Sequence, residues 1–518
     1  MCWGAILLLA VLLRFVPIRS GLPYSDYIDE GHVLHQTIDA FNQRSLDVYW
    51  YGLPALPAYS TGAALLLYGP FYRHFHGHRF QEDFPQERSL PTSSLNYDFI
   101  APVELIVSGR VMTACLGIAS VILAGIIAAR LANHHADLLA MLLTAVCPAL
   151  VTRASIVIAD TFATFFVLAA LFFSERIHSQ GIKSVWRNAG LAGFATGLAF
   201  ASKYPAAAAG MAVLTSIFLL RVEWRSRLRL LFPTAGGCFL GILLGAPMTF
   251  FQPIKVWRDV IANIRFYGQV PSAQGYLAQA ISMLEVGWPL LLAGCVGLIL
   301  MLQTGRTRDL ALGWLVFGAT LIALFAGKPF QPFRNFLPLV PPLCIAAAIT
   351  FVNLIRWARS GTHRWLRHGV TIVLISGCAG SLGFSSYRQV QQRMAHRDSR
   401  VQAVDWLRQH AGKQDRVLAI RELAILPSEW ARIDAEITVV PWLEAVALLR
   451  RGPFDYLVTG ELNLGPAPDA RWQDYRETWT QEIASLKILV EFGTVATYAH
   501  LYTWRTNNER IDILEAKQ

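Results

Sequence analysis

The sequence predicts a polytopic α-helical membrane protein of about eleven transmembrane helices, followed by a C-terminal soluble α/β domain. Three observations predict it. Of the 518 residues, 54% are hydrophobic and only 15% charged, where a soluble domain carries nearer a quarter charged. The apolar residues gather into long blocks such as 111–129, 156–173, 205–220 and 286–302. Blocks of roughly 18 to 20 residues match a hydrocarbon core about 30 Å thick. From about residue 390 the composition turns soluble, and strand-like runs alternate with helical ones.

In lipid the backbone must satisfy its own hydrogen bonds, so the blocks are read as helices. They are placed near 3–19, 103–129, 136–152, 154–174, 188–203, 205–220, 230–250, 285–302, 309–326, 335–355 and 369–387. Residues 3–18 read as an uncleaved first helix, because no Lys or Arg precedes the run and no Ala-x-Ala site follows it.

Loop charge gives the direction. With a cytoplasmic N-terminus, the short inner loops carry Arg130; Arg176, Lys183 and Arg187; Arg221, Arg225, Arg227 and Arg229; Arg306 and Arg308; and Arg356, Arg359, Arg364 and Arg367. The opposite loops near 151–153, 203–205 and 327–334 are sparser, the bias expected of a membrane protein. The same bias accounts for the net charge of +10 without a nucleic-acid partner. The chain has no basic tail and no nucleic-acid motif. Eleven spans then place the C-terminal region outside the cytoplasm. Seven cysteines all fall in apolar blocks and none has CxxC spacing, so neither a zinc site nor a redox motif is supported.

The expected organisation is a membrane domain over residues 1–390 and an extracytoplasmic α/β domain over 391–518. Within the first, a long outer loop spans 20–102 and a second spans 251–284. In the first loop Val33, Leu34, Ile38 and Phe41 share one side of a helix, which predicts an amphipathic helix lying along the membrane surface. Trp257, Ile261, Ile264 and Phe266 among charged residues predict another. In the C-terminal region "VQAVDWLRQH" and "PWLEAVALLRR" read as helices and "RVLAI", "EITVV" and "DYLVTG" as strands; "LKILVEF" and "TVATYAHLYTW" finish the region. No GxGxxG follows the first strand, so a nucleotide site has no support.

Candidate chemistry begins at Asp29-Glu30 in "YSDYIDEGHVLHQTIDAF". Acidic residues in a first helical turn are stabilised by the helix dipole, and a carboxylate at the membrane surface can equally take a proton from a hydroxyl. Asp160 stands inside an apolar block, where an ionisable group costs at least about 2.5 kcal/mol near the bilayer centre and points to function. The plain alternative is a structural pair with Arg153 or Arg110. Lys203, Arg334, Lys328 and Arg110 all fall on the outer side. They either snorkel to the headgroups or neutralise a phosphate. Tyr51, Tyr204 and His32 are candidates for positioning an acceptor. His32 and His35 flank the acidic pair, but no cluster has clear metal-ligand spacing, and dependence on a divalent metal stays open.

These segments together resemble the phospholipid-carrier-dependent glycosyltransferases of the GT-C fold, which include the protein O-mannosyltransferases and the lipid A aminoarabinose transferases. The resemblance covers roughly residues 1–390. It is carried by a first membrane helix followed by Asp29-Glu30, then by "SLDVYWYGLPALPAYSTGAALLLYGPFY" and by "SGRVMTACLGIASVILAGIIAARLA", opened by Arg110. "PALVTRASIVIADTFATFFVLAALFFSERI", with Asp160 at the second acidic position, "GLAFASKYPA" and "FRNFLPLVPPL" complete it. A branch of the family reads Pro-Asp-Glu at the pair, where this chain has Ile28.

The resemblance implies an extracytoplasmic, inverting transfer of a sugar from a polyprenyl-phosphate donor to a hydroxyl of a lipid, glycan or protein acceptor. It also implies a setting in the plasma (inner) membrane of a bacterium. Lys203, Arg334, Arg110 and Lys328 would face the donor phosphate. Asp29 would be the general base, with Asp160 and Glu30 orienting the acceptor or holding the base. Two rivals use the same charges differently. A transporter or lipid flippase also places Asp and Arg inside the membrane, but such folds often show two related halves, and none is visible here. A non-catalytic scaffold would use the α/β domain as a binding module.

Overall fold

The computed structural model describes residues 2–24, 28–83, 101–132, 134–179, 182–269, 286–325, 333–360, 363–395, 397–423, 425–451, 454–460, 487–492 and 511–515. The chain divides into two compact units. One comprises Met1–Arg19, Gln36–Glu82 and Glu104–Gln392; the other comprises Ser20–His35, Asp83–Val103 and Arg393–Gln518.

The first unit is helical. Its elements are α1 (Cys2–Phe15), the second half of α2 (Ile28–Asn42), α3 (Leu56–His76), α4 (Val103–Leu131), α5 (His134–Val146), α6 (Pro148–Ala154), α7 (Ala159–Ser179) and α8 (Ile182–Ser202). They continue as α9 (Ala209–Phe218), α10 (Trp224–Gly245), α11 (Met248–Phe251), α12 (Pro253–Gln269), α13 (Trp288–Gln303), α14 (Gly305–Phe325), α15 (Val340–Arg359) and α16 (Arg364–Ala395). Among the described residues seven helices are long and apolar enough to cross a membrane, or eight if the bent pair α5–α6 is one span. Tyr204–Phe218 and Trp288–Gln303 are shorter apolar helices. Each of the eleven predicted spans overlaps a helical segment among the described residues. Phe232, Leu244, Ile372 and Val373 lie exposed on α10 and α16, a distribution that suits hydrocarbon and would be a liability in water.

Two local features depart from uniform spans, and both have a physical cause. The predicted span 136–152 is bent by 60° between α5 and α6. Pro148 opens α6 and has no N–H to offer the carbonyl of Thr144. The buried guanidinium of Arg14 fills that gap, donating to the Thr144 carbonyl at 3.2 Å and the Ala145 carbonyl at 3.1 Å. The second feature is the contact of α8 with α10. A Cβ on Gly197 would stand 2.2 Å from the Cys238 carbonyl, and one on Gly241 would stand 2.4 Å from the Phe194 carbonyl. Small residues let these two backbones touch, the means by which helices associate where no hydrophobic force acts between them.

The segment between the first two predicted spans contains more structure than the sequence suggested. Helix α2 forms as expected, but Val33, Leu34 and Ile38 are buried in protein rather than laid against a membrane. On its C-terminal half Phe41 meets Phe80 edge-on at 5.5 Å, and Thr37 donates to the Ala58 carbonyl at 3.0 Å. Helix α3, 21 residues long, was not foreseen, because Pro57 and Pro70 break its apolar pattern. In the second loop α12 forms, with Ile254, Trp257 and Ile264 exposed and Val256 buried. Phe266 carries no described side chain.

The second unit contains a five-stranded sheet. Its strands are β1 (Arg416–Ile420), β2 (Glu436–Val440), β3 (Tyr456–Gly460), β4 (Lys487–Phe492) and β5 (Ile511–Glu515), in the order β2-β1-β3-β5-β4. β1 pairs in parallel with β2 and β3, while β5 pairs antiparallel with β3 and β4. Helices α17 (Ser399–His410) and α18 (Trp442–Arg451) accompany it. Ala403, Val404 and Leu407 of α17 join Val417, Leu418 and Ala419 of β1 in one core. β5 was missed: "IDILE" is short and mixes two charges among its apolar residues. The closing segment "TVATYAHLYTW" lies outside the described residues.

Candidate active site

The first unit brings three of its polar side chains together inside the helical bundle. Asp160 stands in the first turn of α7, not in the helix interior that the apolar block suggested, because residues 155–158 are not helical. Thr164 donates back to the Asp160 carbonyl at 2.7 Å and Thr161 to the Arg153 carbonyl at 3.0 Å, which holds this turn. Lys203 follows the end of α8 in an extended conformation (φ −157°), since Pro205 two positions on forbids continued helix. Its ammonium donates to Asp160 Oδ1 and, at 2.7 Å, to Asn335 Oδ1. Lys203 is thus a partner of Asp160. The side chain of Asp160 is 2% exposed and that of Lys203 15%. Their attraction offsets a large desolvation cost, and the dipole of α7 adds to it. Arg334, beside Asn335 in the 3-10 turn Phe333–Leu339, is buried as well.

Asn335 carried no signal in the sequence. A neutral amide has no burial cost large enough to mark it, and it lies 132 residues from its partner.

A second, more exposed polar cluster joins the segment 47–51 to α12. Lys255 of α12 donates to Asp47 Oδ1 at 2.6 Å and to the Val48 carbonyl at 3.0 Å. Gln252 reaches Asp47 Oδ2 at 3.1 Å, and the Tyr51 hydroxyl reaches Oδ1 at 2.8 Å. Burial works against the Asp47 charge, but the bonds from Lys255, Tyr51 and Gln252 outweigh it and hold its pKa below the ordinary carboxylate value. Burial raises the Tyr51 hydroxyl; the Val48 amide opposes this, and the bond to Asp47 adds to the rise. The Tyr51 amide donates to Asp259 Oδ2 at 3.1 Å, and the Tyr204 hydroxyl to the Tyr51 carbonyl at 2.9 Å. Tyr51 and Tyr204, singled out separately in the sequence, thus meet. Because Tyr204 follows Lys203 directly, the two clusters share one stretch of chain. Asp47, Lys255 and Asp259 were missed, as charged residues in polar loops are ordinary.

Arg110 is buried in α4 and donates to the Ile18 carbonyl at 3.0 Å. Asp29 and Glu30 form the first turn of α2, with Glu30 buried; His32 is half-buried on the same helix. That part of α2 belongs to the second unit. Lys328 lies outside the described residues. Among the described residues no three His, Cys, Asp or Glu side chains converge on a metal position.

Comparison with known proteins bears on the fold. Residues 103–251, from α4 to α11, match the family model described as dolichyl-phosphate-mannose-protein mannosyltransferase. ArnT from Cupriavidus metallidurans bound to undecaprenyl phosphate superposes with a TM-score of 0.56 at 12% identity, over 99% of this chain and 98% of that one. This chain has the GT-C fold. The same GT-C fold underlies the match to the archaeal oligosaccharyltransferase AglB from Archaeoglobus fulgidus, in complex with an inhibitory peptide and a dolichol-phosphate. That match has a TM-score of 0.54 at 9% identity and covers 95% of this chain and 72% of the other. No curated protein sequence is significantly similar to the chain. With the GT-C fold and its apolar spans, the chain is an integral membrane protein.

Proposed function

We propose that this protein is a membrane glycosyltransferase that moves a sugar from a polyprenyl-phosphate donor to an acceptor hydroxyl on the extracytoplasmic face, with inversion. The observation that carries the reading is the buried Lys203–Asp160–Asn335 cluster with Arg334 beside it, in a chain of GT-C fold. Apolar spans offer a path for a lipid tail, and the cations offer charge to a phosphate.

The roles follow from charge. Asp160 neutralises Lys203, so it serves to hold that ammonium in place, and Arg334 adds a second cation. As the bond from the anomeric carbon to the phosphate oxygen breaks, the electron pair leaves with the polyprenyl phosphate. Cations fixed in advance at that oxygen stabilise the developing charge. The acceptor oxygen forms the new bond to the anomeric carbon as its proton passes to the carboxylate of Asp29. General-base help of this kind contributes roughly 10²–10⁴ in rate. Glu30 and His32 stand on the same helix and would orient the acceptor.

The test is transfer by the purified chain in liposomes, with labelled polyprenyl-phosphate sugar and envelope lipids, glycans and proteins as acceptors. Labelled acceptor and free polyprenyl phosphate should appear together. Asp29→Asn and Asp160→Asn should each lower the rate by at least about 10²-fold. Full activity in both variants sinks the assignment. Movement of intact donor across the bilayer without bond cleavage would favour a flippase.

A further inference from the structure

The chain that leads into α2 is gripped by the C-terminal part of the second unit. Tyr24 is 5% exposed. The Arg400 guanidinium of α17 lies over its ring, 3.6 Å from the centroid. Arg400 is itself fixed: its Nε and Nη2 each donate to Asp398 at 2.9 Å. Asp398 also caps α17, accepting from the Arg400 amide at 2.8 Å. At the other end of the tyrosine, the Leu426 amide donates to the Tyr24 hydroxyl at 3.2 Å. Burial raises that hydroxyl to about 12, against the pull of Arg400 and of the Leu426 amide, so the phenol stays neutral and Leu426 meets an intact acceptor. Two elements far apart in sequence, α17 and the segment after β1, therefore hold one side chain of the N-terminal segment.

The consequence lies five residues downstream. Asp29 can stand no further from Tyr24 than an extended chain of that length allows, about 18 Å, and Ser20–His35 clusters with Arg393–Gln518. We propose that the C-terminal α/β domain is a positioning element for the acidic pair, anchoring Tyr24 through Arg400 and Leu426 and so fixing where Asp29 and Glu30 stand. This rests on Asp29 being the base of the proposed transfer. The domain is then part of the catalytic apparatus rather than a separate binding module. A buried arginine aligned by a bidentate carboxylate is a rigid platform, and an aromatic ring on a desolvated cation is held more firmly than one on an exposed cation.

The experiment uses the full chain with Tyr24→Leu and Tyr24→Phe, both of which leave the Arg400–Asp398 pair intact. Tyr24→Leu should lower kcat about 10- to 100-fold, the scale of a small misplacement of a reacting group. The donor KM should stay within about twofold, because donor contacts are not touched. Tyr24→Phe keeps the ring over Arg400 and should restore most of kcat. Hydrogen exchange supplies a readout besides activity. Amides of residues 28–35 should lose protection in Tyr24→Leu while those of β1 and β3 keep theirs. Wild-type kcat together with wild-type protection at 28–35 in Tyr24→Leu overturns the inference. If the wild-type chain transfers no sugar, the glycosyltransferase reading fails, and exchange at 28–35 still decides the anchoring.

Discussion

Two Lys–Asp pairs occupy very different places in the first unit. Lys203–Asp160 is sealed among α7, α8 and the turn before α15, with side chains 15% and 2% exposed. Lys255–Asp47 joins a loop to α12, with side chains 28% and 23% exposed. The chemistry is the same and the energetics are not. A buried pair is costly to assemble and costlier to break, since the surviving charge has nowhere to go. A pair open to solvent is nearly free on both counts. The comparison teaches where function can be placed. A buried ammonium bonded to a carboxylate and an amide is held in place by its surroundings, whereas the more exposed pair fastens a loop to α12.

The largest expected effect breaks the buried pair. Asp160→Asn should destabilise the protein by about 3–5 kcal/mol, because it removes the carboxylate from a buried ion pair. Thermal unfolding in detergent measures it. The double variant Asp160→Leu/Lys203→Met should recover most of that stability while transfer stays lost. Wild-type stability in Asp160→Asn would mean that the two pairs are alike after all.

Asn335→Ala tests the neutral partner. It removes a hydrogen bond to a charged group, worth about 1.5–3 kcal/mol, without changing any charge. The donor KM should rise if the ammonium loses its aim, and an unchanged KM would confine Asn335 to packing. The smallest effect belongs to the more exposed pair. Lys255→Met should cost about 0–1 kcal/mol. The pH dependence has a definite sign. The folded pKa of Asp47 lies below its unfolded value, so its contribution is present above that unfolded value, about 3.9, and is lost as pH falls through the folded one. Limited proteolysis of the 44–55 loop between pH 6 and pH 3 should show the loosening, and Lys255→Met should weaken the dependence.

How much of the site could be read without coordinates differs residue by residue. Asp160 and Lys203 were legible, because a charge in an apolar block carries a cost that only a role or a partner offsets. Their union was not, for it depends on α7 beginning at Ala159 and α8 ending at Ser202. Asn335, Asp47 and Asp259 were silent, since uncharged or loop-borne polar residues are unremarkable in any sequence. Arg14 was passed over inside an apolar first helix, although the break at Pro148 is what opens the carbonyls it binds.

The sequence by itself determined the membrane class, the run of apolar helices, the acidic pair at the start of α2 and the strands and helices of the C-terminal region. Each of these follows from local composition and period, which lipid and water sort without reference to distant residues. Tertiary structure alone decided that α2 is buried rather than laid on a surface, that Asp160 answers Lys203, and that Arg400 and Leu426 hold Tyr24. Such pairings join residues 43, 376 and 402 positions apart. Their energies exist only once packing has excluded water and brought the groups within reach, so no local pattern records them.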